Sequence, residues 1–194
     1  MIRELTPELA NQIAAWEVVE RPLSVIKELV ENALDALADS VKIEIEGGGM
    51  ISMSVQDNGQ GIGEFDLTLI PKKHATSKIS SLEDLQKVMT FWFRWEALAS
   101  ISSVSDFEIL TRSQDSNLGK RLSFDNGAKK IQDIAFEQGT KIIVKNLFQK
   151  TPARLNYIKS QRTEYNHIFE YIQSIALLYP DVSFTLISDE KNVF

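Results

Sequence analysis

The strongest hydrophobic pattern in the chain is an amphipathic repeat centred on the stretch Lys27–Asp39. Apolar residues recur there every three or four positions, so they would share one side of a helix and leave carboxylates and an amide on the other. The apolar stripe consists of Ile26, Leu29, Val30, Ala33, Leu34 and Leu37, and the polar side of Glu28, Asn32, Asp35 and Asp39. The pattern predicts a helix packed against a core, with Leu37 continuing its buried face. Pro22 suits the first turn, where no backbone N–H donor is needed.

Alternation of apolar and polar residues with a period of two predicts strands. Val41–Ile45 and Ile51–Val55 flank Gly47–Gly49 and predict a β-hairpin. Further strands are predicted at Phe107–Thr111, Arg121–Phe124, Lys130–Ala135, Thr140–Val144 and Val182–Ser188, with a new strand starting at Val193–Phe194. Other helices are predicted at Thr6–Ala15, Glu64–Ile70, Leu82–Met89, Ala97–Val104, Pro152–Ser160 and Arg162–Leu178. This mixture indicates an α+β sandwich, a mostly antiparallel sheet covered by helices.

Composition narrows the class of protein without identifying a function. The 194 residues include 43% hydrophobic residues and no cysteine, and they carry a formal net charge of −6. This length and hydrophobic content suit a single domain with a sizeable core, and the lack of cysteine excludes disulfides and thiolate metal sites. No apolar run reaches membrane-spanning length, so we expect an intracellular, cytoplasmic protein without a membrane partner. An acidic chain argues against a broadly basic surface, so any DNA contact would be local.

Candidate chemistry begins where the second strand of the hairpin ends, at the sequence DNGQG, Asp57–Gly61. On its own such a sequence is typical of a turn. Here it follows a predicted helix on which Glu28 and Asn32 are four residues apart and therefore neighbours on one face. Side-chain oxygens of this kind suit Mg²⁺, which commonly bridges to substrate phosphates, and a nearby carboxylate can accept a proton from an attacking water. Together these residues support the hypothesis of a nucleotide site.

Two further stretches could contact phosphates. The loop HATSK, His74–Lys78, could supply hydroxyl and backbone donors with a lysine charge, although a solvated loop explains this stretch better when it is taken on its own. The sequence FWFRWEALAS, Phe91–Ser100, places Arg94 among aromatics before a predicted helix start, and a helix N-terminus can bind phosphate. Aromatic clusters are more often buried than catalytic, so neither stretch identifies a site by itself.

The motifs taken together resemble a known family. The sequences ANQIAAWEVVERPLSVIKELVENALDA, DNGQGI, HATSKI, FRWEALASISSVS, GTKIIVKNLF and TPARL stand in the order found in the N-terminal ATPase domains of MutL-type mismatch-repair proteins. These domains belong to the GHKL class of ATPases, with gyrase-type topoisomerases, a heat-shock chaperone and histidine kinases. The resemblance covers almost the whole chain and implies a GHKL (Bergerat-type) two-layer fold. It also implies that residues 1–194 form one ATPase domain, the N-terminal part of a longer protein.

The resemblance implies a role for each matching residue. Glu28 would be the general base for water, Asn32 the Mg²⁺ ligand, and Asp57 the acceptor for the adenine amino group. Gly59 and Gly61, with Ile62, would let base and ribose approach, and Thr140 would support the adenine pocket. A lid over the phosphates of ATP would include His74, Ala75, Thr76, Ser77, Lys78, Phe93, Arg94 and Leu98.

The resemblance also implies partners. ATP binding would drive self-dimerisation through this domain, slow hydrolysis would reset it, and other mismatch-repair proteins would receive the signal, close to the nucleoid in a bacterial cell. A second segment beyond this domain would add a lysine to the γ-phosphate. Weak DNA contact could use local basic residues, although solvated helix faces explain them at least as well: Lys145, Lys150, Arg154, Lys159 and Arg162.

Four positions depart from the family pattern, which has glycine at Trp16, Leu37, Trp92 and Trp95. A bulky residue at a backbone position that requires positive φ carries a steric penalty of roughly 1–2 kcal/mol. An indole at Trp92 or Trp95 could also occupy space that a phosphate needs. Two hypotheses follow: a working Mg-dependent ATPase switch, or a nucleotide-binding or interaction module whose lid cannot close.

Overall fold

The frame of the molecule is one mixed sheet of eight described strands. The structure, a computed structural model, describes residues 18–70, 94–125, 128–149 and 151–194. The strands are β1 Ser40–Glu46, β2 Ser52–Asp57, β3 Asp106–Arg112, β4 Gly119–Asp125, β5 Ala128–Ile134, β6 Gly139–Lys145, β7 Ser183–Ser188 and β8 Lys191–Asn192. The described α-helices are α1 Pro22–Asp35, α2 Glu64–Leu69, α3 Arg94–Val104, α4 Pro152–Leu155 and α5 Gln161–Leu178. The helices predicted at Thr6–Ala15 and Leu82–Met89 lie outside the described residues.

The strand order across the sheet is β5-β4-β3-β6-β2-β1-β7-β8. Strand β1 pairs in parallel with β7, and the other described pairs are antiparallel. The β1–β2 hairpin and the strands after α3 therefore form as the alternating pattern predicted, and the predicted α+β class is confirmed. None of the described helices is long and apolar enough to cross a membrane.

The two faces of the sheet differ, and β1 shows the difference most clearly. Val41, Ile43 and Ile45 are buried in the core beneath the helices, whereas Lys42 and Glu44 point to the uncovered face and are partly exposed. Because successive side chains of a strand alternate between faces, this one sequence supplies both a core surface and a polar surface. The helix-covered face is the one that carries the candidate site.

Helix α1 begins with Pro22 in its first turn, and its buried residues include Ile26, Leu29, Val30 and Ala33, as the sequence predicted. Val25, which the predicted stripe did not include, is buried as well. The prediction for Leu37 is wrong. The helix ends at Asp35, and Leu37 is 74% exposed with φ of 59°. Its N–H bonds to Leu34 O while Ala38 N–H bonds to Ala33 O, the hydrogen-bond pattern of a Schellman motif. That motif requires a left-handed residue after the helix, which explains why a glycine suits this position.

The predicted helix Pro152–Ser160 is also too long. Helix α4 ends at Leu155, and Ser160 has φ of −65° and ψ of 151°, an extended conformation that cannot continue a helix. The Ser160 side chain instead accepts a hydrogen bond from Thr163 N at 3.2 Å and caps α5. Serine at this position therefore starts the second helix and prevents the two from merging.

The chain end continues the sheet beyond β8. Leu186 N donates to Phe194 O at 3.0 Å, and Val193 N donates to Leu186 O at 2.8 Å. The strand predicted to start at Val193–Phe194 therefore begins two residues earlier, at Lys191, and the backbone follows β7 antiparallel to the last residue.

Candidate nucleotide-binding site

Three polar side chains form a row across neighbouring strands. Asp57 at the end of β2 is the register partner of Thr140 at the start of β6, which in turn is the partner of Thr111 near the end of β3. Partners in register point to the same face, and this face is the helix-covered one, because the residues two positions away along each strand belong to the core. The polar row therefore closes one end of the hydrophobic core.

Asp57 is held by backbone donors. Its Oδ1 accepts hydrogen bonds from Gly59 N at 2.9 Å and from Thr140 N at 3.3 Å. Burial nevertheless raises the pKa of Asp57 from its ordinary 3.8 to about 6, against the effect of these two hydrogen bonds. No donor among the described residues lies on the second oxygen, Oδ2. A partly buried carboxylate with one oxygen fixed and the other open is suited to accept a hydrogen bond from a ligand.

Thr111 and Thr140 make a buried hydroxyl pair that ties three chain segments together. The two Oγ1 atoms are 2.9 Å apart, and Thr111 Oγ1 also donates to Gly139 O at 2.9 Å and accepts from Ile62 N at 2.9 Å. Thr140 was predicted as a site residue, whereas sequence reasoning missed Thr111. Its only sequence signal is a small polar residue at the inward position of an otherwise apolar strand pattern.

The loop after β2 is fixed to the end of α1. Gln60 N donates to Ala36 O at 2.9 Å, and Asn58 Oδ1 accepts from Asp39 N and Ser40 N at 3.1 and 3.0 Å. Ala36 follows Asn32 by one helical turn and Glu28 by two, each turn rising about 5.4 Å. Both side chains are partly buried, and the Gln60–Ala36 contact places the Asp57 loop against the C-terminal end of the helix that carries them.

The glycines of this loop serve close backbone approach within the chain. A Cβ on Gly59 would lie 2.6 Å from Ala36 O, and one on Gly61, whose φ is +69°, would lie 2.1 Å from Arg112 O. The sequence interpretation assigned these two glycines to the approach of a base and ribose. The structure already accounts for both without a ligand, because any side chain at either position would collide with the backbone.

The other predicted site residues lie either on α3 or outside the described residues. Leu98 is 5% exposed and belongs to the hydrophobic core, so its burial on α3 does not support the predicted lid role. The lid residues His74, Ala75, Thr76, Ser77, Lys78 and Phe93 lie outside the described residues, as do Trp16 and Trp92. Arg94 and Trp95 begin α3. A right-handed helix has negative φ, so the expected left-handed strain does not arise at Trp95.

The residues present fit a bound magnesium–nucleotide complex. Within the described ranges, no three His, Cys, Asp or Glu side chains form a group that could hold a metal ion. Magnesium held mainly by phosphate and water oxygens needs only one or two protein oxygens, so a single amide such as that of Asn32 is sufficient. The open carboxylate oxygen of Asp57 suits the donor group of a base.

Two other polar features lie apart from the polar row. A groove of about 480 Å³ on the uncovered face includes Glu44, Lys141 and Ile143, but none of the predicted site residues. The charges of Glu44 and Lys141 already neutralise each other across it. Among the basic residues predicted to touch DNA, Arg154 donates to Glu20 O at 3.3 Å and lies over the Phe148 ring, so it serves the fold.

Comparison with known proteins places the chain in a family. The family model described as "Histidine kinase-, DNA gyrase B-, and HSP90-like ATPase" matches residues 20–151. The DNA mismatch repair protein MutL of Lactobacillus helveticus is 50% identical over 194 residues, which is 100% of this chain and 30% of that protein. The MutL protein of Pelodictyon phaeoclathratiforme is 46% identical over the same length, with 31% of that protein covered. The chain thus spans about a third of the length of these relatives.

Solved structures agree with the sequence matches. The MutL ATPase domain of Aquifex aeolicus complexed with ADP is 34% identical, with a TM-score of 0.72 over 91% of this chain and 63% of that one. The N-terminal domain of a DNA repair protein is 27% identical, with a TM-score of 0.80 over 97% of this chain and 56% of that one. These findings confirm the GHKL fold and the resemblance to MutL, and they give no support to the alternative of a module that cannot close its lid. The chain belongs to the histidine kinase-, DNA gyrase B- and HSP90-like ATPase family.

Proposed function

We propose that this chain binds Mg-ATP beside the polar row of Asp57, Thr140 and Thr111 and hydrolyses it slowly, as the nucleotide-dependent switch of a MutL-type DNA mismatch-repair protein. The observation that carries the proposal is the state of Asp57. Its Oδ1 is fixed by two backbone N–H groups, its Oδ2 has no donor from the described part of the chain, and its pKa is raised to about 6 by burial. Keeping this carboxylate ionised in the free protein costs free energy. A hydrogen-bond donor of a ligand at Oδ2 would stabilise the charge and so explain why the carboxylate is there.

The adenine amino group is a donor that matches Oδ2. Ionised Asp57 offers only acceptors, and Thr140 adds a hydroxyl at its side. The ADP complex of the Aquifex aeolicus relative supports an adenine nucleotide as the ligand class. The base would therefore lie against the row, with its sugar and phosphates directed along the polar face of α1.

Two residues on α1 would promote the hydrolysis of ATP. Glu28 would orient a water molecule and accept its proton as the water attacks the terminal phosphate. Asn32 would hold magnesium through its side-chain oxygen, and the ion would neutralise the charge of the phosphate oxygens. Phosphoryl transfer depends mainly on positioning and on charge neutralisation, which such a small set of side chains can provide.

The output of this cycle would be a change of assembly. ATP binding would order the lid residues 74–78 and 91–93 that precede α3, and two copies of the domain would then associate. Other mismatch-repair proteins would respond to that state, and direct DNA contact through this acidic chain would be weak. The similarity to MutL proteins along the full chain supports this proposal for the partners.

Binding and hydrolysis are tested separately. Calorimetric titration of the chain with ADP and Mg²⁺ should give saturable 1:1 binding, and Asn32→Ala should lose the magnesium-dependent part of the affinity. Phosphate release from ATP should fall to the level of the buffer blank in Glu28→Ala while nucleotide binding is retained. Glu31→Ala on the same helix is the matched control and should keep the parent rate. Equal rates for the parent and Glu28→Ala would refute the assignment of the base.

A further inference from the structure

The buried hydroxyl of Thr111 has a role that neither the motifs nor the proposed chemistry assigns. Thr111 is 0% exposed, so it cannot touch a nucleotide. It occupies the inward position of β3 that follows Phe107 and Ile109, where an apolar side chain would suit the core. A polar group in such a place is retained only if its hydrogen bonds are satisfied.

The hydrogen-bond capacity of Thr111 is completely used. A hydroxyl has one hydrogen to donate and two lone pairs that accept. Gly139 O can only accept, so it takes the Thr111 hydrogen, and Ile62 N–H can only donate, so it fills one lone pair. The third contact, to Thr140 Oγ1 at 2.9 Å, must then be filled by the hydrogen of Thr140. Thr111 thus fixes the direction in which the Thr140 hydroxyl points.

This direction determines what Thr140 can offer a ligand. With its hydrogen committed to Thr111, Thr140 has only lone pairs left, and its backbone N–H is already bound to Asp57 Oδ1. Asp57 and Thr140 therefore both present acceptors at the edge of the row. The 6-amino group of adenine donates to acceptors, whereas the 6-oxo group of guanine is itself an acceptor and finds no donor there.

We infer that Thr111 is a positioning residue that makes the base site acceptor-only and so favours adenine over guanine through the orientation of Thr140. The inference rests on the proposed function for its nucleotide, although the hydroxyl direction itself does not depend on a ligand. Thr111 affects the selectivity for the base without contacting the base. Asp57 differs because its carboxylate contacts the base directly.

The matched variants are Thr111→Val, which keeps the shape and removes the hydroxyl, and Thr111→Ser, which keeps the hydroxyl. Affinities for ADP and GDP are measured by calorimetry with Mg²⁺ on variants that melt cooperatively. The ratio of the GDP to the ADP dissociation constant should fall about tenfold in Thr111→Val, because Thr140 can then turn its hydrogen toward the 6-oxo group. In Thr111→Ser the ratio should stay within about twofold of the parent, since the orienting hydroxyl remains.

Thr151→Val provides the control for loss of a buried hydroxyl elsewhere. Thr151 is 5% exposed, and its Oγ1 donates to Phe148 O at 3.2 Å, on a segment that holds none of the proposed base contacts. Its variant should lose stability without a change in the ratio. An unchanged ratio in Thr111→Val, with ADP and GDP weakened equally, would reduce Thr111 to a structural residue and overturn the inference.

A neutron structure of the parent tests the hydroxyl direction without any nucleotide. The expected result is a deuteron on Thr140 Oγ1 that points to Thr111 Oγ1, and one on Thr111 Oγ1 that points to Gly139 O. A Thr140 deuteron that points away from Thr111 would overturn the inference even if ADP binds. A parent that binds neither nucleotide would refute the proposed function, while the neutron result would still decide the orientation.

Discussion

Asp57 and Glu44 are carboxylates on neighbouring strands of one sheet, yet they face opposite sides and their pKa values are shifted in opposite directions. Lys42 and Lys141 bind Glu44 at 2.7 and 3.0 Å on the uncovered face, and these contacts lower its pKa to about 2 against the effect of burial. Asp57 lies on the helix-covered face, where burial raises its pKa to about 6.

The difference shows which of the two carboxylate charges is compensated by cationic groups of the chain itself. Glu44 has cations, and Ser54 donates to the same carboxylate, so its charge stabilises the open face of the sheet. Among the residues that the structure describes, Asp57 has backbone donors alone, and they do not offset the loss of water around its charge. A carboxylate whose charge the fold does not compensate is available to bind a donor group of a ligand, whereas a carboxylate paired with cations stabilises the fold.

The largest expected effect is on nucleotide affinity. Asp57→Asn should weaken ADP binding about 100-fold, because its Oδ1 would keep the two backbone donors and its NH₂ group would then face the adenine amino group, donor against donor. Glu44→Gln on the other face is the matched control and should leave ADP affinity unchanged. Titration calorimetry measures both. Equal losses in the two variants would remove the functional distinction between the faces.

The second effect is on stability and has opposite signs for the two carboxylates. The folded pKa of Asp57 lies above its ordinary 3.8, so its contribution to stability is present below pH 3.8 and is lost as the pH rises through about 6. At pH 7.5 Asp57→Asn should therefore raise the free energy of unfolding by on the order of 2–3 kcal/mol, with almost no gain at pH 4.

The contribution of Glu44 to stability depends on pH in the opposite direction. Urea unfolding at several pH values measures the contribution of each residue to the free energy of unfolding. The folded pKa of Glu44 lies below 4.5, so its contribution is present above that pH and is lost as the pH falls toward 2. Because Glu44 is partly exposed, Glu44→Gln should cost less than about 1 kcal/mol at pH 7.5. A stability gain in Glu44→Gln, or a loss in Asp57→Asn at this pH, would contradict the assigned charge states.

The smallest effect concerns the helix end that carries the Asp57 loop. Leu37 has a left-handed backbone and an exposed side chain, so replacing it with glycine relieves backbone strain and removes little side-chain packing. Leu37→Gly should raise the free energy of unfolding by about 1 kcal/mol, a shift of roughly 2–4 °C in melting temperature. Leu34→Gly, three residues earlier and inside α1, is the control and should destabilise the protein. Destabilisation by Leu37→Gly would mean that the side chain, and not the backbone, decides this position.

Local patterns were sufficient to predict most of the secondary structure. The α1 stripe, the hairpin around Gly47–Gly49 and the strands after α3 depend on periods of 3.6 and 2 that each segment contains by itself. Boundaries were less predictable. Leu37 fits the stripe by spacing, but the Schellman motif ends the helix before it. Ser160 likewise fits a longer helix until its role as a cap is seen.

In the candidate site, too, some residues could be predicted from the sequence and others could not. Glu28, Asn32 and Asp57 stand in recognisable motifs, and the motifs and their order identified the family before any distance was known. Thr111 has no motif, because its function depends on Ile62, Gly139 and Thr140, which lie at sequence separations of up to 49 residues. Leu98 shows the converse, since a residue inside a motif proved to be part of the core.

The sequence by itself determined the family, the amphipathic helix and the polar residues available for chemistry, because each is expressed in local spacing or in a contiguous motif. Only the tertiary structure decided the state of those residues. Whether a carboxylate is paired with lysines, as Glu44 is, or accepts only from backbone N–H groups within the described ranges, as Asp57 does, depends on groups that meet across strands. Burial and hydrogen-bond direction are properties of the assembled sheet, and no local pattern contains them.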